Sequence, residues 1–522
     1  MKTEHSYTVI VAEDEQIILD NIIQKIEQTD LHFKVIASAL DGEDALSLVE
    51  QMKPDILFTD IHMPAMDGLE LIQRAKIMRP ELEIVIISGY NDFSYAQQAI
   101  RLGVTDYILK PVKKDLLMQT MVGIKTRLDK KANKLESDII ERLVHGIKPA
   151  SALPESIKTE QFHMYFICLG NQYTYTADVL DTDFFDRLWS MIDWSKITAS
   201  IWDKAMSWRV IDDKFFNQKF LVLSSSKQAY HAEELINAIS SSLLDSIPIT
   251  ICAEESPVSL EHIRDTARML RASLERNLLC CLSSIITTKE RKAPDRPSHN
   301  YDSIHMNSMK LFVKQQQFDS LQSELLHLFT EWQASSMTQR QLEKLLVNLA
   351  VELMGLIGCE DDDIMASIEK ELYEIIAISI DNESLFNDAL QVLNSYMSSY
   401  INPRKKVSDT SEELYNKLEE YIRMNISEQI TVSSLAEKFN FNSSYIIRVF
   451  KKCSGEPPMR YLTLLRINEA KRLIERQPEL DFKDIAEIIG YSEQQYFSRV
   501  FKNITGMSPS EYRESAKKSG LS

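Results

Sequence analysis

Through the first 125 residues, short apolar runs alternate with longer stretches in which apolar residues recur every three or four positions. TVIVA is followed by IILDNIIQKIEQ, KVIASA by GEDALSLVEQM, DILFTD by MDGLELIQRAKIM, EIVIISG by DFSYAQQAIRLG, and DYILK by KDLLMQTMVGIKTRL. Short β-branched runs read as strands and a 3.6-residue period reads as helix. Five such units in a row predict an α/β, doubly wound, five-stranded parallel sheet with helices on both faces. The helical stripe then continues through Met121, Ile124, Leu128, Leu135, Ile139 and Leu143. Such a stripe suits a dimerising stalk over 126–150 or a helix packed on its own domain.

The far end has a different rhythm. TVSSLAEKFNFNSSYIIRVFKKCSG, from Thr431, aligns with DFKDIAEIIGYSEQQYFSRVFKNITG, from Asp481. Leu435 falls on Ile485, Ala436 on Ala486, Phe441 on Tyr491, Arg448 on Arg499, Phe450 on Phe501 and Gly455 on Gly506. Each copy reads as a short helix, a turn and a second amphipathic helix, so 409–522 is an all-α tandem of helix-turn-helix units joined by YLTLLRINEAKRLIER. Asn440 takes the turn of the first copy, a residue that tolerates positive φ. Between the ends, strand-like runs (HMYFICLG, KFLVLSS, IPITICAE) mixed with helices predict an α+β module over 151–290, and 301–402 reads as helical. KERKAPDRPSHN (289–300) and INPRKKVSDTSEE read as linkers.

Net charge of -18 argues against a nucleic-acid partner until its distribution is considered. Residues 409–522 are neutral, with 17 basic and 17 acidic side chains, and Lys438–Pro478 alone holds nine basic against three acidic. A basic patch on an acidic protein is a phosphate-facing surface. On the second helix of each copy, the face away from the core offers Ser444, Ile447, Arg448, Lys451 and Lys452, and then Gln494, Gln495, Ser498, Arg499 and Lys502. Arg grips guanine and Gln grips adenine in the major groove, Ile can meet a thymine methyl, and Lys holds phosphate. The opposing reading is a protein-binding bundle with a solvated polar face. The six cysteines, Cys168, Cys252, Cys280, Cys281, Cys359 and Cys453, follow no ligand or disulfide spacing and are expected to be buried, reduced thiols. Acids stand where a signal peptide would have its apolar core, and no apolar run spans a membrane, so a cytoplasmic chain is expected.

The chemistry concentrates at the carboxyl ends of the first five strands, where such sheets hold ligands. These ends carry Glu13, Asp14 and Glu15, then Asp60, Ser88, and Lys110 before Pro111. Carboxylates gathered in one crevice repel unless a hard cation neutralises them, which points to Mg²⁺. With a hydroxyl and an ammonium beside it, Asp60 is placed to take a phosphoryl group whose oxygens Mg²⁺, Ser88 and Lys110 hold.

These residues, with TDIHMPAMDG around Asp60, resemble the receiver domain of two-component response regulators. The resemblance implies that Asp60 is the phosphoacceptor, that Glu13, Asp14, Asp60 and the backbone carbonyl of His62 ligate Mg²⁺, and that Tyr107 is the aromatic switch. Glu13 stands where most relatives have Asp. The tandem at the far end resembles the AraC/XylS-type DNA-binding domain over Glu412–Arg513. Together, and in domain order, the chain is similar to YesN-like response regulators. That implies a multidomain transcription factor whose receiver (1–125) is phosphorylated by a sensor histidine kinase and whose homodimer binds double-stranded promoter DNA and meets RNA polymerase. It further implies that the chain is not an enzyme. A segment of the middle module, ITICAEESPVSLEHIRDTARMLRASLERN, resembles degenerate nucleotide-cyclase-like modules but lacks their GG[DE]EF signature. Two other classes stay open on the sequence: an enzyme or second-messenger binder acting through 150–290, and a receiver scaffold acting on other proteins.

Overall fold

The computed structural model describes residues 6–29, 31–89, 93–149, 157, 160–173, 182–202, 207–224, 230–243, 247–288, 303–315, 317–334, 337–359, 361–401, 408–439, 441, 443–491 and 494–519. Asn440 and the 289–300 linker therefore lie outside the described residues. The chain divides into two compact units, Met1–Glu160 and Gln161–Ser522.

The first unit alternates β1 (Tyr7–Ala12), α1 (Gln16–Glu27), β2 (Phe33–Ala39), α2 (Gly42–Met52), β3 (Ile56–Thr59), α3 (Gly68–Met78), β4 (Glu83–Ser88), α4 (Phe93–Arg101), β5 (Asp106–Leu109) and α5 (Lys114–Val144). The sheet runs β2-β1-β3-β4-β5 and every pairing is parallel. Strands buried on both faces need continuous apolar runs, and β3, Ile-Leu-Phe-Thr, is buried at all four positions. One face packs Leu19, Ile22 and Ile26 of α1 with Leu117, Met121 and Ile124 of α5; the other packs Ala45 and Val49 of α2 with Leu71, Ile72 and Ala75 of α3. Asp41 and Asp67 cap α2 and α3 by accepting from Asp44 N and Glu70 N, each at 2.8 Å.

Helix α5 is one 31-residue helix, running well past the sheet of the first unit. Tyr7 donates to Asp129 Oδ1 at 2.6 Å and ties its middle to β1. The expected stripe holds at Met121, Ile124, Leu128 and Ile139, but Leu135 is 41% exposed and Leu143 only half-buried, whereas their neighbours Glu136 and Val144 are buried. A straight helix turns 3.6 residues per turn, so a seven-residue repeat drifts off one face.

In the second unit, β6 (Gln161–Leu169), α6 (Thr182–Met191), α7 (Trp194–Ile201), β7 (Trp208–Asp212), β8 (Gln218–Ser224), α8 (Ala232–Ser242), β9 (Ile249–Ala253), β10 (Val258–Ser259), α9 (Ile263–Asn277) and β11 (Ser284–Thr287) build an α+β module. Its strands run β11-β9-β6-β8-β7, with β10 on β6. The helical region is α10 (Ser303–Lys314), α11 (Phe318–Ala334), α12 (Gln339–Leu356), α13 (Asp362–Ile378) and α14 (Asn382–Ile401). A buried polar knot locks it to the module: Asn171 Nδ2 donates to the Ile376 and Ser379 carbonyls at 2.7 and 2.8 Å, and Gln339 exchanges hydrogen bonds with the Gln172 backbone at 2.6 and 2.8 Å.

The last part comprises α15 (Ser408–Met424), α16 (Val432–Phe439), α17 (Ser443–Ser454), α18 (Pro458–Arg476), α19 (Phe482–Ile488), α20 (Gln494–Thr505) and α21 (Pro509–Ser519). Residues 408–413, expected as linker, are instead helical, because Leu414, Leu418 and Ile422 follow at helical spacing and bury against the first helix-turn-helix core. Each unit has its own core, centred on Phe450 and on Phe501. The repeat is not exact: Tyr491 is buried, whereas its counterpart Phe441 is 40% exposed and stacks on Tyr445. Five cysteines are buried as expected, but Cys453, on the outer side of α17, is exposed.

Candidate functional site

The first site is built by register. Ala12 pairs with Thr59 and Ser88 with Leu109, so the residues just beyond β1, β3 and β5, namely Glu13, Asp60 and Lys110, emerge along one edge of the sheet. Backbone bonds fix them: Asp60 N donates to Ala12 O at 2.9 Å and Lys110 N to Ser88 O at 2.8 Å. The loop after β3 folds back tightly, with Gly68 N on Ile61 O at 2.7 Å. A Cβ at Gly68 would lie 1.9 Å from the Asp60 carbonyl oxygen, so only glycine allows this approach.

At the centre, the Lys110 ammonium donates to Glu13 Oε1 and to Asp60 Oδ2, each at 2.7 Å. Asp60 Oδ1 accepts from Ile61 N at 2.6 Å. Asp60 is 7% exposed and Glu13 fully buried, and among the described residues Glu13 Oε2 has no hydrogen-bond partner. Carboxylate oxygens of Glu13, Asp14 and Asp60 lie within 4.8 Å of one another. Burial raises the Glu13 carboxyl above its ordinary value against the opposing Lys110 hydrogen bond, and the neighbouring Asp60 charge raises it further. Burial would lower the Lys110 ammonium, but hydrogen bonds to Asp60 and Glu13 outweigh it and the net shift is upward. One ammonium thus serves two buried carboxylates and leaves an acceptor oxygen orphaned, which is the electrostatic deficit that a divalent cation fits.

The remaining sequence candidates fall around this centre. Ser88 is buried at the end of β4. Tyr107, half-buried on β5, packs on the cluster formed with α2 and α3. His62, two residues past Asp60, is exposed, and its ring meets Tyr95 edge-on at 5.5 Å.

The second site is the helix-turn-helix pair. On α20, Phe497, Val500 and Phe501 are buried while Gln494, Gln495, Arg499 and Lys502 are exposed and Ser498 is half-exposed. On α17, Lys452 is exposed, but Ile447, Arg448 and Lys451 are half-buried, and the side chain of Ser444 lies outside the described residues. The cause is α13: Arg448 donates to Glu371 Oε2 at 2.8 Å, and the Tyr396 hydroxyl holds the other carboxylate oxygen at 2.9 Å. Ile447, Lys451 and Lys452 line a cleft of about 440 Å³ whose opposite wall includes Glu371 and Glu374. The face expected to lie open on the first recognition helix is therefore partly occupied. No local pattern signals a pairing across 77 residues.

One positioning residue escaped the sequence reading. Arg466, on the connecting α18, is 8% exposed and donates to the carbonyls of Ile426 at 2.8 Å and Glu428 at 2.6 Å while stacking over Tyr491. It thereby pins the segment after α15 to the turn of the second unit. That turn needs Gly490, at φ +88°, where a Cβ would meet Ser427 O at 2.6 Å.

Residues 9–122 match the response regulator receiver domain, and residues 435–515 match a helix-turn-helix domain. The chain thus carries a receiver-domain match near one end and a helix-turn-helix-domain match near the other. Over 118 residues, 23% of the chain, it is 36% identical to the uncharacterized transcriptional regulatory protein YesN of Bacillus subtilis, covering 32% of that protein. It is 39% identical over 106 residues, 20% of the chain, to the transcriptional regulatory protein HptR of Staphylococcus aureus, covering 41% of it. The chain thus spans less than half the length of these curated relatives. Among solved structures, the receiver domain of AraT, a response regulator from Geobacillus stearothermophilus, is 40% identical; the match covers 24% of this chain and 99% of that one, with a TM-score of 0.24. Among the described residues, no helix is long and apolar enough to cross a membrane.

Proposed function

We propose that this chain is a cytoplasmic, DNA-binding transcriptional response regulator in which phosphorylation of Asp60 by a sensor histidine kinase controls homodimerisation and promoter binding through the two helix-turn-helix units. The observation that carries the reading is the Lys110 ammonium shared by the buried carboxylates of Glu13 and Asp60 beside an orphaned oxygen. An Asp60 oxygen attacks the phosphorus of a phosphohistidine, the P–N bond breaks, and the imidazole leaves with a proton. Lys110 and the Ser88 hydroxyl then hold the phosphoryl oxygens, and Tyr107 turns inward as the switch. Glu13, Asp14, Asp60 and the His62 carbonyl would hold Mg²⁺, which supplies charge neutralisation for the incoming phosphoryl group. The added charge of about -1.5 to -2 reshapes the receiver, and dimerisation raises the effective concentration of the paired units on a repeated operator, where RNA polymerase is recruited. The chain performs no turnover of a metabolite in this reading.

The test compares the full chain with Asp60→Ala after treatment with a small-molecule phosphodonor and Mg²⁺. Wild type is expected to gain promoter affinity and change oligomeric state. Equal gains in Asp60→Ala would overturn phosphoryl control.

The cationic face of α17 supplies a further prediction. Replacing Lys451 or Lys452 by Ala is expected to weaken binding about equally on all sequences and to reduce the slope of log affinity against log salt by about one. A salt titration by fluorescence anisotropy on specific and random duplexes reads both.

A further inference from the structure

Away from both sites, two histidines and two glutamates meet on the helical region. Glu324, His327 and Glu331 stand at i, i+3 and i+7 along α11 and so share one face, and His305 reaches them from the neighbouring α10. His305 Nδ1 lies 2.8 Å from Glu324 Oε1. A carboxylate only accepts, so Nδ1 carries the proton, and in the neutral ring Nε2 is left with a bare lone pair. That lone pair faces Glu331 Oε2 at 3.4 Å, while His327 Nδ1 lies 3.5 Å from Glu331 Oε1. Both distances exceed an ordinary hydrogen bond. Each imidazole instead faces its own oxygen of the Glu331 carboxylate, at about the 3.4 Å that separates two atoms each about 2.0–2.1 Å from one tetrahedral ion.

We propose that His305 Nε2, His327 Nδ1 and the Glu331 carboxylate form a binding site for a divalent transition cation of the Zn²⁺ class, with Glu324 as the positioning residue that orients His305. The three ligand groups lie within 4.8 Å of one another. Two imidazoles and a carboxylate suit Zn²⁺ rather than the all-oxygen preference of Mg²⁺, so the site is chemically distinct from the receiver acids. A carboxylate on the far nitrogen of a ligating histidine fixes its tautomer and raises its basicity. His327 and Glu331 have side chains 67% and 52% exposed, which leaves the outer position open to water or a partner ligand.

The competing account is an imidazolium bridging two carboxylates, with no metal. Chelator-stripped full-length protein is titrated with Co²⁺ in excess Mg²⁺, which occupies the receiver acids, and in a Cys453→Ser background, which removes the exposed thiol. Wild type is expected to bind one equivalent with the visible absorption of four-coordinate Co²⁺ and to release it to added Zn²⁺. His327→Ala and Glu331→Gln, at sites exposed enough to spare folding, should lose that band, and Glu324→Gln should weaken binding about 10- to 100-fold. A wild-type protein without the band, or a His327→Ala protein with the same band and affinity, would overturn the site and leave only ion pairs.

Discussion

Lys110→Ala is expected to destabilise the receiver by about 3–5 kcal/mol in metal-free buffer, because removing one partner of a buried ionic cluster strands the others. Glu13 is fully buried and Asp60 nearly so, and Lys110 is the cation the structure places between them. Mg²⁺ should restore a large part of the loss, since an ion that binds only the folded state stabilises it by mass action. The pH dependence has a defined sign. Burial already raises the Glu13 carboxyl above its ordinary value, and loss of the Lys110 hydrogen bond raises it further. A carboxyl that holds its proton more tightly when folded makes stability fall as pH rises from the unfolded value through the folded one. The deficit of the variant should therefore be greatest near neutrality and shrink toward the carboxylate range. Urea unfolding with and without Mg²⁺ at several pH values measures each part. Phosphodonor-dependent promoter binding should be lost in the variant even where Mg²⁺ restores the fold.

Arg499→Ala is expected to weaken binding to the target promoter by about 1–3 kcal/mol, roughly 5- to 150-fold, and to relax base preference at one operator position. Arg499 is exposed on α20, opposite a buried Phe497–Val500–Phe501 face, so its removal leaves the core intact. Competition between specific and mutated duplexes reads the loss of preference. Unchanged affinity on every duplex would favour a protein-binding bundle.

The sequence carried the receiver almost completely because each of its elements is a local signal. Five apolar runs ended on polar residues, and parallel pairing then placed Glu13, Asp60, Ser88 and Lys110 at one edge without any further information. The duplicated helix-turn-helix pattern was equally local. Legibility failed where a long-range partner decides. WRVID and SIIT are too short and mixed to declare themselves, yet become β7 and β11 because β8 and β9 offer open edges. Phe441 is apolar and aligned with a core tyrosine, but stays 40% exposed. Arg466 resembles any helix-surface arginine until the carbonyls of Ile426 and Glu428 are brought to it.

The grip of Glu371 on Arg448 has a consequence for how the two reading heads compare. A guanidinium engaged by a carboxylate is not free for a guanine edge, so operator and α13 are rival acceptors for one side chain. The head bearing Arg499 meets no such rival among the described contacts and, on the proposed DNA-binding reading, would engage a half-site directly. On that reading, the head bearing Arg448 would first have to let go of its own chain, so the two halves of an operator would be read at unequal cost, and whatever loosens α13 from α17 would act on one half alone.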